Sequence, residues 1–195
     1  KILAIGDFHG KFQKKWFDLA KKEGIDVVVS NGDYFHFIQK KLFFKYSFRQ
    51  GVSLWEVIGK KRYKKILLQE IKGGKKALSE LNKMPAPVLT VLGNHDEAKE
   101  NHASDVTDNI SYKSSKHWRW EEQRFFSQIL KQCKNIKRID YLYSKVGDYI
   151  FIGMNGGSFP GDVKSRAFRR SKKKLEKLLK KFNKENKDGK VILVA

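Results

Sequence analysis

Three short apolar runs in this chain each break directly into a small polar motif that contains glycine. Ile2 to Ile5 leads into Gly6-Asp7-Phe8-His9-Gly10. Val27 to Ser30 leads into Asn31-Gly32-Asp33. Pro87 to Leu92 leads into Gly93-Asn94-His95-Asp96. Apolar runs this short, closed by Gly, Asn and Asp, read as buried strands rather than helices. Two more such runs cover Tyr149 to Gly153 and Val191 to Val194. A weaker one covers Ile139 to Tyr143, joined to the next by a turn at Val146-Gly147-Asp148.

Helical spacing fills the intervals. Phe12, Trp16, Phe17 and Ala20 share one helix face. Ile66, Ile71, Leu78 and Leu81 define a second helix, interrupted at Gly73-Gly74. Trp118, Phe125, Ile129 and Cys133 define a third. Phe168, Leu175, Leu178, Leu179 and Phe182 define a fourth, ended by Asp188-Gly189. Strands alternating with helices predict an α/β fold. At 195 residues the chain reads as one domain spanning 1–195, long enough to bury roughly 70% of its unfolded surface. A strand–helix–strand crossover needs roughly 30 residues. The interval from Asp33 to Asn94 is far longer, so an insert is expected at about 34–83, rich in Phe, Tyr, Trp, Lys and Arg.

In open α/β sheets, ligands bind beyond the carboxyl ends of strands. Three strand ends here present Asp, His, Asp, Asn and His to one place. Carboxylate and imidazole donors suit divalent transition metals. Two ions ~3.5–4 Å apart can clamp a phosphate and activate a water between them. Asp7 and His9 are two apart in an extended turn, so both side chains can point the same way.

The order D-x-H, then G-D, then G-N-H-D resembles the calcineurin-like metallophosphoesterases, and the resemblance covers most of the chain outside the insert. The stretch Tyr149 to Gly157 is similar to that family's strand before a glycine loop. The resemblance implies a metallophosphoesterase-type two-sheet sandwich flanked by helices (αββα). It implies two divalent metal ions, Mn, Fe or Zn. Asp7 and His9 would ligate the first, Asp33 would bridge both, and Asn94 would ligate the second. His95 would face the substrate as general acid or transition-state stabiliser, and Asp96 would orient His95. The implied activity is hydrolysis of a phosphomonoester or phosphodiester by a metal-bridging hydroxide, with a phosphorylated molecule as substrate.

Two departures bear on this. The family also uses a His after a later strand and a G-H-x-H beyond it. Here the sequence stops at Ala195, inside an apolar run, and C-terminal truncation is the expected explanation. The alternatives are a non-catalytic scaffold that has lost metal ligands, or a nuclease or nucleotide-directed phosphodiesterase of the same fold. Second, Gly6-Asp7-Phe8-His9-Gly10 looks like the phosphoprotein phosphatases, whose second motif continues to an arginine. Gly32-Asp33-Tyr34-Phe35-His36-Phe37 has none, which disfavours protein serine/threonine phosphatase activity.

Charge narrows the partners. Lys and Arg number 42 against 21 Asp and Glu, a net charge of +21. Such a field favours polyanions. Two stretches carry most of it, Lys40 to Lys76 and Lys164 to Lys190. The second reads as the solvated face of an amphipathic helix. The first mixes aromatic rings with cations, the composition that stacks bases and tracks phosphates, so nucleic acid is one expected partner. The other reading of the same stretch is a lid whose rings pack on one another. A single cysteine, Cys133, allows no internal disulfide and reads as core. It fits a reducing compartment, and a cytoplasmic protein is expected. No run approaches the ~18 apolar residues of a membrane helix. His102 and His117 read as surface residues, and His36, three after Asp33, reads either as a partly exposed loop residue or as a substrate-facing group.

Overall fold

The computed structural model of the chain describes residues 1–48, 50, 52–97, 100, 118–120, 123–155 and 166–195. The first sheet is wholly parallel, in the order β1 (Ile2–Ile5), β2 (Val27–Ser30), β3 (Val88–Thr90), β4 (Ile136–Arg138). The second holds β5 (Tyr143–Val146), β6 (Tyr149–Gly153) and β7 (Val191–Val194), with β5 antiparallel and β7 parallel to β6. The helices are α1 (Lys14–Glu23), α2 (Lys40–Leu42), α3 (Leu54–Ile58), α4 (Lys60–Leu81), α5 (Asn94–Glu97), α6 (Phe125–Leu130), α7 (Arg166–Lys181) and α8 (Asn183–Lys187). A π-helical stretch, Phe43–Phe48, follows α2.

β-Branched alternation sets the layers. Val27 and Val29 point to one face of the first sheet and pack, with Leu89 and Val91, on Phe151 and Val194 of the second. Val28 and Val88 point to the other face, where Ala20 of α1, Leu78 and Leu81 of α4, and Phe126 of α6 cover them. Burial on both sides explains why β2 reads as an unbroken apolar run. The outer face of the second sheet packs Ile150 and Ile152 on Leu175, Leu178 and Leu179 of α7 and on Phe182. The layers are therefore helix, sheet, sheet, helix, the sandwich that the motif order implied.

Several local expectations change. Helix α4 runs unbroken through Gly73-Gly74. The glycines serve close packing instead of interruption. A β-carbon on Gly74 would overlap the Phe35 ring, and one on Gly73 would stand 3.3 Å from the Gly10 Cα. The third helix begins only at Phe125, and Trp118 lies ahead of it, outside any helix. Of the weak strand expected at Ile139 to Tyr143, only Tyr143 is in a strand, as the first residue of β5; Ile139 to Leu142 connect β4 to it. With one apolar residue in three, Ile136-Lys137-Arg138 gives too little alternation to read as the edge strand it is.

The 34–83 stretch does two jobs. The C-terminal half of α4 buries Ala77, Leu78 and Leu81 in the main core, which makes it the crossover between β2 and β3. Ahead of it, Leu54, Trp55, Tyr63 and Leu67 form a separate core with Phe125, against which Phe43, Tyr46, Trp118 and Trp120 pack. Trp55 and Trp118 meet edge to face at 5.8 Å, with Lys60 Nζ over both rings. Most of the rings in this stretch are thus used inside the fold. Trp55 is 6% exposed, which leaves it unable to stack on a base. The side chains of Phe48 and Phe168, and His102 and His117 entirely, lie outside the described part. Among the described residues no helix is long and apolar enough to cross a membrane.

Candidate metal centre

The parallel register aligns Ile5 with Ser30 and Ser30 with Thr90, so β1, β2 and β3 end level. All three polar motifs leave the same edge of the sheet. Backbone bonds then fasten them together. His9 N–H donates to Asp33 O and Gly10 N–H to Tyr34 O, both at 2.8 Å, which ties the first motif to the second.

Asp96 ties the second motif to the third. It is fully buried, and its Oδ2 accepts the N–H groups of Asp33 at 2.7 Å and Gly93 at 3.0 Å. Its Oδ1 accepts those of Tyr34 at 2.8 Å and Phe35 at 3.3 Å. Burial pushes the Asp96 carboxyl up to about 7; the Asp33 charge acts in the same sense, while the amides of Gly93, Phe35 and Asp33 pull it back. Gly32, at φ +82°, lies so close to Gly93 that a side chain on either would overlap the other motif.

Below the motifs, the Tyr34 hydroxyl meets Ser30 Oγ and Thr90 Oγ1 at 2.5 Å each, and burial raises its pKa. The Tyr34 ring stacks on Phe8 at 4.9 Å. This packing anchors the turns that carry Asp7 and Asp33.

Three non-glycine residues here adopt left-handed backbone: Asp7 at φ 53°, His9 at φ 44° and Asp33 at φ 59°. That conformation costs roughly 1–2 kcal/mol per residue, and such strain clusters at functional sites. The three strained residues are also the three whose ligand atoms converge. One donor atom from each of Asp7, His9 and Asp33 lies within 4.8 Å of the others. His9 Nε2 stands 3.9 Å from Asp7 Oδ1.

Asn94 faces the same point. One terminal atom of its amide stands 3.1 and 3.2 Å from the two Asp33 oxygens. As an NH2 group it donates to both. As the carbonyl oxygen it would share a cation with them. A set of two carboxylates, one imidazole and one amide, gathered on an open strand edge, fits a divalent transition metal.

His95 borders this set. Its backbone N–H donates to Asp33 Oδ1 at 3.0 Å, and its ring lies 4.8 Å from that of His9. His36 is exposed, with its ring 6.4 Å from His9, so it flanks the centre more closely than a bland surface histidine. Cys133 is buried, its thiol held toward Ile129 O and its pKa raised by burial, as expected of a core cysteine.

Sequence reasoning missed a second brace. Arg138 Nη1 donates to Glu100 Oε1 at 2.7 Å and Arg138 Nε to Asp140 Oδ2. Asp140 Oδ1 accepts the Leu92 N–H at 2.9 Å, just ahead of Gly93. Glu100 also accepts the N–H and hydroxyl of Ser127. The segment carrying Asn94 and His95 is thus held by buried charges on both flanks. Nothing in the local spacing announces ion pairs between residues 38 apart.

A family model, that of the calcineurin-like phosphoesterases, matches residues 1–195. The chain belongs to the calcineurin-like phosphoesterase family. Membership implies metal-dependent phosphoester hydrolysis, and the fold and the Asp7–His9–Asp33 cluster agree with it. A search of curated proteins found no match. One solved crystal structure aligns at 16% identity and a TM-score of 0.47, over 78% of this chain and 51% of the other. This calcineurin-like chain therefore spans about half the length of that solved one.

Proposed function

We propose that the chain is a metal-dependent phosphoester hydrolase with Asp7, His9, Asp33 and Asn94 as metal-holding residues. The observation that carries this is the convergence of Asp7, His9 and Asp33, each on a strained left-handed backbone, at one strand edge. Two divalent ions, when bound there, would polarise a phosphoryl group and make water a nucleophile at neutral pH.

The chain's own groups do the rest. Asp33 lies between the first motif and Asn94 and is the natural bridge. Asp96, through four backbone amides, holds Asp33 and Gly93 in place before substrate arrives. His95 is pinned by its backbone to the bridging carboxylate while its ring borders His9. These contacts support the reading of His95 as a general acid that gives a proton to the departing oxygen, a contribution of about 10²–10⁴ in rate.

The test is turnover of p-nitrophenyl phosphate and bis-p-nitrophenyl phosphate by the full-length protein loaded with Mn, Fe or Zn. Hydrolysis of either, abolished by chelation, is expected. The preferred substrate separates monoesterase from diesterase or nuclease chemistry. Failure of the full-length protein to hold metal, with no hydrolysis of either, would favour the scaffold reading.

A further inference from the structure

A file of aromatic rings leads away from the candidate metal centre. The His95 ring meets Phe37 at 5.6 Å, Phe37 meets Phe43 at 5.2 Å, and Phe43 meets Phe44 at 5.7 Å. The file begins beside His9 and reaches Phe44 in the insert. Phe37 and Phe43 are half-buried, Phe44 is 41% exposed, and Ile38, next to Phe37 in the chain, is 42% exposed. Exposed apolar groups that adjoin a polar site mark a binding surface more often than those scattered singly. A small, wholly polar phosphoester would gain nothing from these rings.

We infer that this wall receives the apolar chain of an amphiphilic phosphoester whose phosphate sits at the metal centre. The inference rests on the hydrolase reading above and names its substrate class. Successive rings are turned by 74°, 59° and 82°, so the wall offers no flat slot for a planar base. A flexible chain can follow alternating edges and faces. Three ring steps of 5 to 6 Å also outrun the size of a nucleobase.

The experiment is isothermal titration of the metal-loaded full-length protein with methyl-, butyl-, hexyl- and octylphosphonate, below their micelle concentrations. These probes cannot be hydrolysed, so binding is read without turnover. Affinity is expected to rise about twofold per added methylene, below the roughly fourfold per CH2 of complete burial. In Phe44→Ser the rise is expected to flatten between hexyl and octyl. Methylphosphonate binding with no dependence on chain length would overturn the inference and leave the hydrolase reading standing. An equal rise in wild type and Phe44→Ser would place the apolar contact elsewhere and overturn it too. No binding of methylphosphonate by the metal-loaded protein would defeat both readings.

Discussion

The backbone N–H of Asp33 donates to Asp96 Oδ2 at 2.7 Å, so the last residue of the third motif fixes the central carboxylate of the second. Both Asp96 oxygens face two amide donors each. In Asp96→Asn, the new NH2 group must face N–H donors whichever way the amide turns. Leaving buried donors unpaired costs about 1–3 kcal/mol each. A lowered melting temperature together with reduced metal content is expected. Unchanged stability with lowered turnover would show instead that Asp96 acts on His95.

Gly93 offers a second test of the same preorganisation. A β-carbon there would overlap the Asp33 carboxylate. Gly93→Ala is expected to displace Asp33, to lose metal, and to cost about 1–3 kcal/mol in stability from overpacking. Inductively coupled plasma mass spectrometry and a thermal melt read the two effects. Normal metal content in this variant would mean that Asp33 does not hold the ions.

The gathering of the three polar motifs was legible because each sits directly after an apolar run. Parallel pairing then forces those runs to end level, as Ile5, Ser30 and Thr90 do. What stayed hidden depends on contacts between distant segments. Gly73-Gly74 looks locally like a helix break, and only the proximity of Gly10 and Phe35 explains it. The Arg138–Glu100 pair joins residues with no shared local pattern. Asp96 stands two residues after the exposed Asn94, and spacing alone does not tell that its carboxylate turns into the core.

Glu100 gives a pH dependence. Burial pushes its carboxyl up, but Ser127 and Arg138 outweigh that and hold it below its ordinary 4.5. A depressed folded value contributes stability that is fully present above pH 4.5 and lost as pH falls through the lower folded value. Stability of the wild type should therefore fall more steeply below pH 4.5 than that of Glu100→Gln. Denaturant titration across this range reads the difference. Parallel acid limbs would remove Glu100 from the account.

Trp55 separates the two readings of the insert. It sits in the small core with Tyr63, Leu67 and Phe125. Trp55→Ala should cost about 3–5 kcal/mol, seen as faster hydrogen exchange across residues 54–67. Weaker oligonucleotide binding with unchanged exchange would restore the base-stacking reading.

The central claim is that Asp33 holds metal between the first and third motifs. Its most direct test is metal stoichiometry in the full-length protein, for wild type and Asp33→Asn, after equilibration with Mn, Fe or Zn. Removing the carboxylate charge removes what offsets two divalent cations at one point. The account predicts two ions per chain in the wild type and at most one in the variant. Two ions in both, with undiminished turnover, would contradict it.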